Sequence, residues 1–385
     1  MTVPLSRPTG VPPNSAAADV LATDIAGLRA AVDRAGPAEV DRALALSRAG
    51  ARLGLLELAA LISPAAGDRL EDLAAPARHT TVQRFGRIVR LFAPLYLSNE
   101  CVSTCTYCGF SAGNEIVRRT LTPAEVADEG DALLDRGFRH LLLVAGEHAR
   151  IVSRDYLVSC VEALAGRVPS LALEVQVWDE ATYRRLVGAG CDGLVAYQET
   201  YDRATYAAVH LKGKKRNYDW RLAAPDRAAA AGMRRIGIGA LLGLSPDWRS
   251  EAIAMAAHAG ALMRRWWRCE VTVALPRLRP AAGGYEPVSP VNDRDLVQLL
   301  CALRLVLPDV GITLSTREPP KLRDALATLG VTHMSAGSHT EPGGYAAPSQ
   351  AEPQFEISDT RSPGEVAASL RAAGYDPVWK DWQRV

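Results

Sequence analysis

The chain has 385 residues, 48% of them hydrophobic, which is enough to bury a large core as one barrel with appendages or as two medium domains. With 44 Lys and Arg against 43 Asp and Glu, its net charge of +1 supplies no field to gather nucleic acid or an anionic membrane surface. No apolar run reaches the roughly 18 residues of a membrane-spanning helix, and the N-terminus lacks the apolar centre of a secretory signal. These features predict a cytoplasmic protein acting on a small molecule, without nucleic-acid or membrane partners.

Residues 1–20, rich in Pro, Ala and small polar residues without apolar periodicity, predict a mobile tail. Residues 21–85 turn helical, in stretches such as AEVDRALALSRAG and LGLLELAALI, and predict a helical appendage. Short apolar runs then alternate with amphipathic helical stretches. The runs are residues 91–97, 140–144, 171–177, 193–197, 235–241, 269–275, 311–315 and 333–336. Eight runs, each followed by enough chain for a crossover helix, fit an α/β fold: a (β/α)8 TIM-like barrel over residues 86–340, with a doubly wound open sheet as the other architecture. Most runs end in polar residues (SNEC, AGEH, EVQVWDE, YQETY, PRLRP, STRE, SAGS), which a barrel would gather on one face, where active sites sit. Residues 341–385 predict a C-terminal flap packed on the barrel.

Seven cysteines are present, and three of them crowd into LYLSNECVSTCTYCGFS after the first run. Cys101, Cys105 and Cys108 form a C-x3-C-x2-C loop, which suits metal ligation in a reducing compartment better than a disulfide framework. Cys160, Cys191, Cys269 and Cys301 are scattered and carry no assigned chemistry. Structural zinc takes four closed ligands and no fourth one stands nearby in sequence. A [4Fe-4S] cluster on three cysteines instead leaves one iron open to an exogenous ligand such as S-adenosylmethionine (SAM).

The motif resembles the radical SAM superfamily, in which an aromatic residue, here Tyr107, precedes the last cysteine. That resemblance makes Gly146 and Glu147, after the second run, contacts of the SAM amino group. Gln176 ends the third run and Gln198 and Glu199 the fourth, where their side chains can hydrogen-bond SAM or substrate, and Gly237 and Gly239 leave room for adenine against a strand. Arg317 and Ser335 end the seventh and eighth runs, where together they can clamp a carboxylate.

From about residue 71 onward the chain further resembles the 2-iminoacetate synthases, the tyrosine lyases of thiamine biosynthesis. The carrying segments are PLYLSNECVSTCTYCGFS, HLLLVAGEH, AYQETYDRATYAAVHLKGKK, GIGALLGLSPDWR, PRLRPAAGG, LSTREPP and PVWKDW. The resemblance implies a carbon-carbon lyase that cleaves SAM reductively and splits the Cα–Cβ bond of L-tyrosine, giving 2-iminoacetate and 4-methylphenol. It also implies an electron donor and the thiazole synthase as partners, with Arg317 and Ser335 on the substrate carboxylate. Val177 and Trp178 stand where a proline and a leucine are expected, and Ala145 where a threonine is usual. A tryptophan lyase therefore remains a second enzymatic reading, and a zinc-stabilised binding scaffold a non-enzymatic one.

Overall fold

The computed structural model describes residues 10–379. Eight parallel strands follow one another around a closed barrel: β1 (Ile88–Ser98), β2 (His140–Ala145), β3 (Ser170–Glu174), β4 (Gly193–Val195), β5 (Arg235–Gly239), β6 (Glu270–Ala274), β7 (Gly311–Leu314) and β8 (His333–Ser335). β1 pairs with both β8 and β2, which closes the ring and excludes an open sheet. All eight expected runs are strands, and most are shorter than the apolar pattern because the chain leaves the ladder before its apolar residues end.

The local rules of helix formation place the crossovers. Thr122, Pro123 and Glu125 form a capping box that starts the helix Pro123–Asp135, and Asp179 caps Glu180–Ala189 through Thr182 N–H. The parity of each strand divides its side chains between two environments. In β3, Leu171 and Leu173 are fully buried against the surrounding helices, while Ala172 and Glu174 line the barrel interior.

Residues 21–85 are helical as expected, ending in the helix Leu70–Phe85, which packs on the crossover helix Asp293–Val306. The expected tail needs correcting from Ala16 onward, whereas residues 1–9 lie outside the described part. Ala16–Leu21 is a helix with Ala16, Ala17 and Val20 buried, docked on the helix Trp248–Arg265. The Asp226 carboxylate, from a different crossover, accepts the N–H groups of Ala16 and Ala17 at 3.0 and 3.2 Å and so satisfies that helix end. Small residues with no obvious periodicity hide this packing in the sequence.

After β8 the chain runs over the barrel mouth, forms the helix Pro363–Ala372, and returns as a ninth strand, β9 (Asp376–Val378), parallel to the start of β1. This strand was not expected. The Lys-Asp-Trp part of the PVWKDW motif lies outside the described residues.

Candidate active site

The cluster loop leaves β1 at Ser98 and is pinned from several sides. Gly146 N–H donates to Ser98 O at 2.9 Å, Val102 N–H to Glu147 O at 2.9 Å, and Thr106 N–H to Val209 O at 3.0 Å. A Cβ on Gly146 would overlap the carbonyl of Glu100 and lie 3.2 Å from Cys101 Cβ. The glycine is therefore required by the close approach of two loops. Its backbone N–H is already committed, so Gly146 shapes the cysteine loop here.

Burial, first of all, raises the thiols of all three cysteines, that of Cys101 to about 11, and Cys108 opposes the ionisation of both others. Such thiols keep their protons unless a bound cation displaces them. Lys215 is the cation that pulls Cys105 and Cys108 downward. None of the cysteines is in a disulfide. Tetrahedral zinc draws thiolates to within about 3.8 Å of each other, given Zn–S bonds near 2.3 Å. Three cysteines on one loop, with no fourth cysteine or histidine among them, fit a [4Fe-4S] cubane with one open iron better than a four-ligand zinc site.

Behind the loop lies a buried charge network that the sequence reading largely missed. Arg221 Nη1 donates to Glu147 at 3.1 Å and its Nη2 lies 3.8 Å from Glu199, while Lys215 Nζ donates to Glu199 at 2.7 Å. Burial would raise the Glu199 carboxyl, but Lys215 and Arg221 hold it below the usual range. Glu199 adopts φ +70°, the left-handed region, an arrangement costly for a non-glycine residue and typical of functional positions. Lys215 belongs to the HLKGKK turn, whose Lys212 and Lys214 are exposed as a solvated turn should be. Arg221 carries no local signal, since it sits in a short helix 22 residues past Glu199. Tyr107 is buried, with its hydroxyl 2.9 Å from His210 Nε2, and it lines the cavity beside Cys108. Burial drives His210 down to about 3, so the imidazole is neutral.

The barrel interior holds a cavity lined by Phe92, Tyr96, Leu142, Val144, Glu174, Tyr197, Ser315, Arg317, Ser335, Ser338 and Phe355, among others. A second cavity shares Glu174, Tyr197, Arg317, Gln354 and Phe355 and reaches Cys108, Glu199 and Lys215. The two expected clamp residues do meet. The Arg317 guanidinium lies 3.4 Å over the Phe355 ring, with no ion pair among the described residues, and burial lowers its proton affinity. Ser335 Oγ and Ser338 Oγ are buried without a hydrogen-bond partner. An unsatisfied cation and two orphan hydroxyls around one cavity match a carboxylate ligand.

Other expected contacts do not line these two cavities. Gln176 Nε2 donates to Val152 O at 3.3 Å and Gln198 Nε2 to Tyr218 O at 3.5 Å, and neither side chain lines the two cavities. A Cβ on Gly239 would lie 2.8 Å from the Tyr197 ring, so that glycine makes room for a tyrosine. Gly237 lines a separate cavity deeper in the barrel, with His140 and Arg235. Gln198 lies between the cavity-lining Tyr197 and Glu199, so strand alternation turns it into the wall. Trp178 and Val177 likewise turn outward, lining a surface groove with Lys214 and Trp220. Their departure from the expected pattern does not touch the inner cavity.

Three cysteines on the loop after the first strand of a closed parallel barrel, beside a polar-anchored cavity, define a radical SAM protein, with a [4Fe-4S] cluster and SAM as its cofactors. A model of the Radical SAM superfamily matches residues 95–256, and one of the Biotin and Thiamin Synthesis associated domain matches residues 274–376. The 2-iminoacetate synthases of Escherichia coli (strain K12) and Salmonella typhimurium (strain LT2) are 48% and 46% identical over 345 residues, covering 90% of this chain and 90% of each relative. The chain belongs to the 2-iminoacetate synthase family. Among solved structures, the [FeFe]-hydrogenase maturase HydG from Carboxydothermus hydrogenoformans superposes with a TM-score of 0.86 at 33% identity, over 94% of this chain and 84% of that one. Methylornithine synthase (PylB) shares the fold, with a TM-score of 0.71 at 23% identity over 87% and 97% of the two chains. Among the described residues no helix is long and apolar enough to cross a membrane.

Proposed function

We propose that this protein is a radical SAM lyase that cleaves the Cα–Cβ bond of L-tyrosine to 2-iminoacetate and 4-methylphenol, for thiazole formation in thiamine biosynthesis. The observation that carries the substrate class is the unpaired Arg317 with the orphan hydroxyls of Ser335 and Ser338, opening on the cavity that continues to Cys108. Cys101, Cys105 and Cys108 would hold the cluster, and the adjoining cavity with Glu199 and Lys215 would take SAM.

When bound, the cluster and SAM supply a 5′-deoxyadenosyl radical, a hydrogen-abstracting agent, by reductive cleavage of SAM. The chain's own residues do the rest by position. Arg317 and the two serines anchor the substrate carboxylate, and Phe355, stacked on Arg317, excludes water from that contact. Phe92, Leu142 and Val144 offer the apolar wall for an aromatic side chain. Because Trp178 faces the outer groove, the inner cavity retains no feature that points to tryptophan. An external one-electron donor is required, and the thiazole synthase is the partner that would receive the reactive imine.

Anaerobic turnover of the reconstituted protein with SAM, dithionite and either tyrosine or tryptophan tests the reading. Release of 4-methylphenol with 5′-deoxyadenosine from tyrosine is the expected result. Deoxyadenosine formation without 4-methylphenol would remove the tyrosine lyase assignment.

A further inference from the structure

Glu174 is the cavity carboxylate to which nothing above gives a role. It closes β3 on the inward parity and opens into both the substrate cavity and the adjoining one at the cluster mouth. The neighbouring acids are committed: Glu147 to Arg221 and Ser103, Glu199 to Lys215 and Arg221, and Glu318 to Arg277. The Glu174 side chain makes no hydrogen bond or ion pair among the described residues. The charged and titratable groups that act on it or face it are Glu199, Arg317, Lys215, Arg221, Tyr96 and Tyr197.

An amino acid enters such a cavity as an ammonium, because α-amino groups titrate near 8 or above. In the tyrosine reading the radical takes its hydrogen atom from the substrate nitrogen: taken from an ammonium it leaves an aminium radical cation, whereas taken from a neutral amine it leaves an aminyl radical with its lone pair intact. The second is far more accessible, so the site needs a proton acceptor beside the substrate nitrogen. The amino and carboxylate groups of the substrate share one carbon. A residue that holds the nitrogen must therefore stand close to the carboxylate anchor, and Glu174 shares both cavities with Arg317.

We propose that Glu174 receives the substrate ammonium and removes one proton from it before the radical step, a role that rests on the tyrosine reading above. The N–H bond breaks with its electron pair left on nitrogen, an O–H bond forms on the Glu174 carboxyl, and the acid stays hydrogen-bonded to the neutral amine. No electron is transferred and no co-reactant is consumed. Burial, then Glu199, raises the Glu174 carboxyl to about 7 against the opposing pull of Arg317, so its proton affinity lies close to that of the amine it serves.

The test is anaerobic calorimetric binding of three ligands to the reconstituted holoenzyme and to its Glu174→Gln variant. The ligands are L-tyrosine, L-phenylalanine and 3-(4-hydroxyphenyl)propanoate, which lack nothing, the phenol and the amine respectively. Glu174→Gln should weaken tyrosine and phenylalanine about 10- to 100-fold and leave the des-amino acid unchanged. Tyrosine affinity of the wild type should rise with pH through about 7. That limb should be absent from Glu174→Gln and restored in Glu174→Asp. Loss of the tyrosine-over-phenylalanine preference would place Glu174 at the phenol, and equal weakening of all three ligands would mark it as structural. Either outcome overturns the proposal while leaving tyrosine cleavage standing. Failure of the wild type to bind tyrosine would overturn the functional reading and this inference with it.

Discussion

A buried guanidinium without a carboxylate partner in the protein is an expensive arrangement, and Arg317 is tolerated there because its face rests on Phe355. Lysine would preserve the charge but neither the stacking nor the two-pronged grip on a carboxylate. Arg317→Lys should raise the KM for tyrosine about tenfold or more. Cluster content and uncoupled SAM cleavage should stay intact, as iron analysis and the ratio of 5′-deoxyadenosine to 4-methylphenol would show. Wild-type kinetics in that variant would remove Arg317 from the carboxylate. Ser335 makes the complementary case, because its hydroxyl is buried and has no partner among the described residues. Deleting an unsatisfied hydroxyl relieves a desolvation cost, so Ser335→Ala should melt at or slightly above the wild-type temperature yet bind tyrosine about tenfold more weakly. A fall in both stability and affinity would mean that the serine is a packing residue instead.

Among the elements, the end of β2 and the cluster loop are interdependent. Gly146 sits where a side chain would overlap the Glu100 carbonyl, and that carbonyl belongs to the residue just before Cys101. Gly146→Ala should therefore displace the first ligand. We expect a lower iron content and a weaker cluster absorbance after reconstitution, with an unchanged far-ultraviolet circular dichroism spectrum. The strands and the cysteine loop were readable in advance because short apolar runs and three clustered thiols are local properties. Gln198 was harder to place, because a strand end exposes residues of both parities and only the closed barrel decides which parity faces inward. Glu174 carried a usable signal, an acid at the inward parity of an otherwise apolar strand. Arg221 and Gln354 carried none, since long-range folding alone brings them to Glu147 and to Cys108.

At the scale of the whole molecule, the segment after β8 ties the mouth of the barrel to its outer helices. It lays Thr340, Gln354 and Phe355 over the substrate cavity and then dives to Asp359. Asp359 pairs with Arg323 of the helix Pro320–Ala327, and both side chains are fully shielded from solvent. Arg361, at 2.7 Å from Asp359, and its partner Asp324 complete the latch. Removing one member of such a pair strands a buried charge, so Asp359→Ala should lower the unfolding free energy by about 3–5 kcal/mol, while Arg323→Met combined with Asp359→Leu should cost much less. Burial alone would raise the Asp359 carboxyl, yet hydrogen bonding from Arg361 and the Arg323 charge hold it below the ordinary carboxylate range. A carboxyl depressed in the folded state stabilises above its unfolded pKa, roughly 3.9, and loses that contribution as pH falls toward the lower folded value. The latch should therefore be intact at neutral pH and weaken only below about pH 4. Melting temperatures of the wild type and the double variant measured from pH 7 down to pH 3 would check this, the wild type falling more steeply below pH 4. Parallel acid limbs in the two proteins would show that another carboxylate governs the acid transition and that the mouth is held shut by apolar packing.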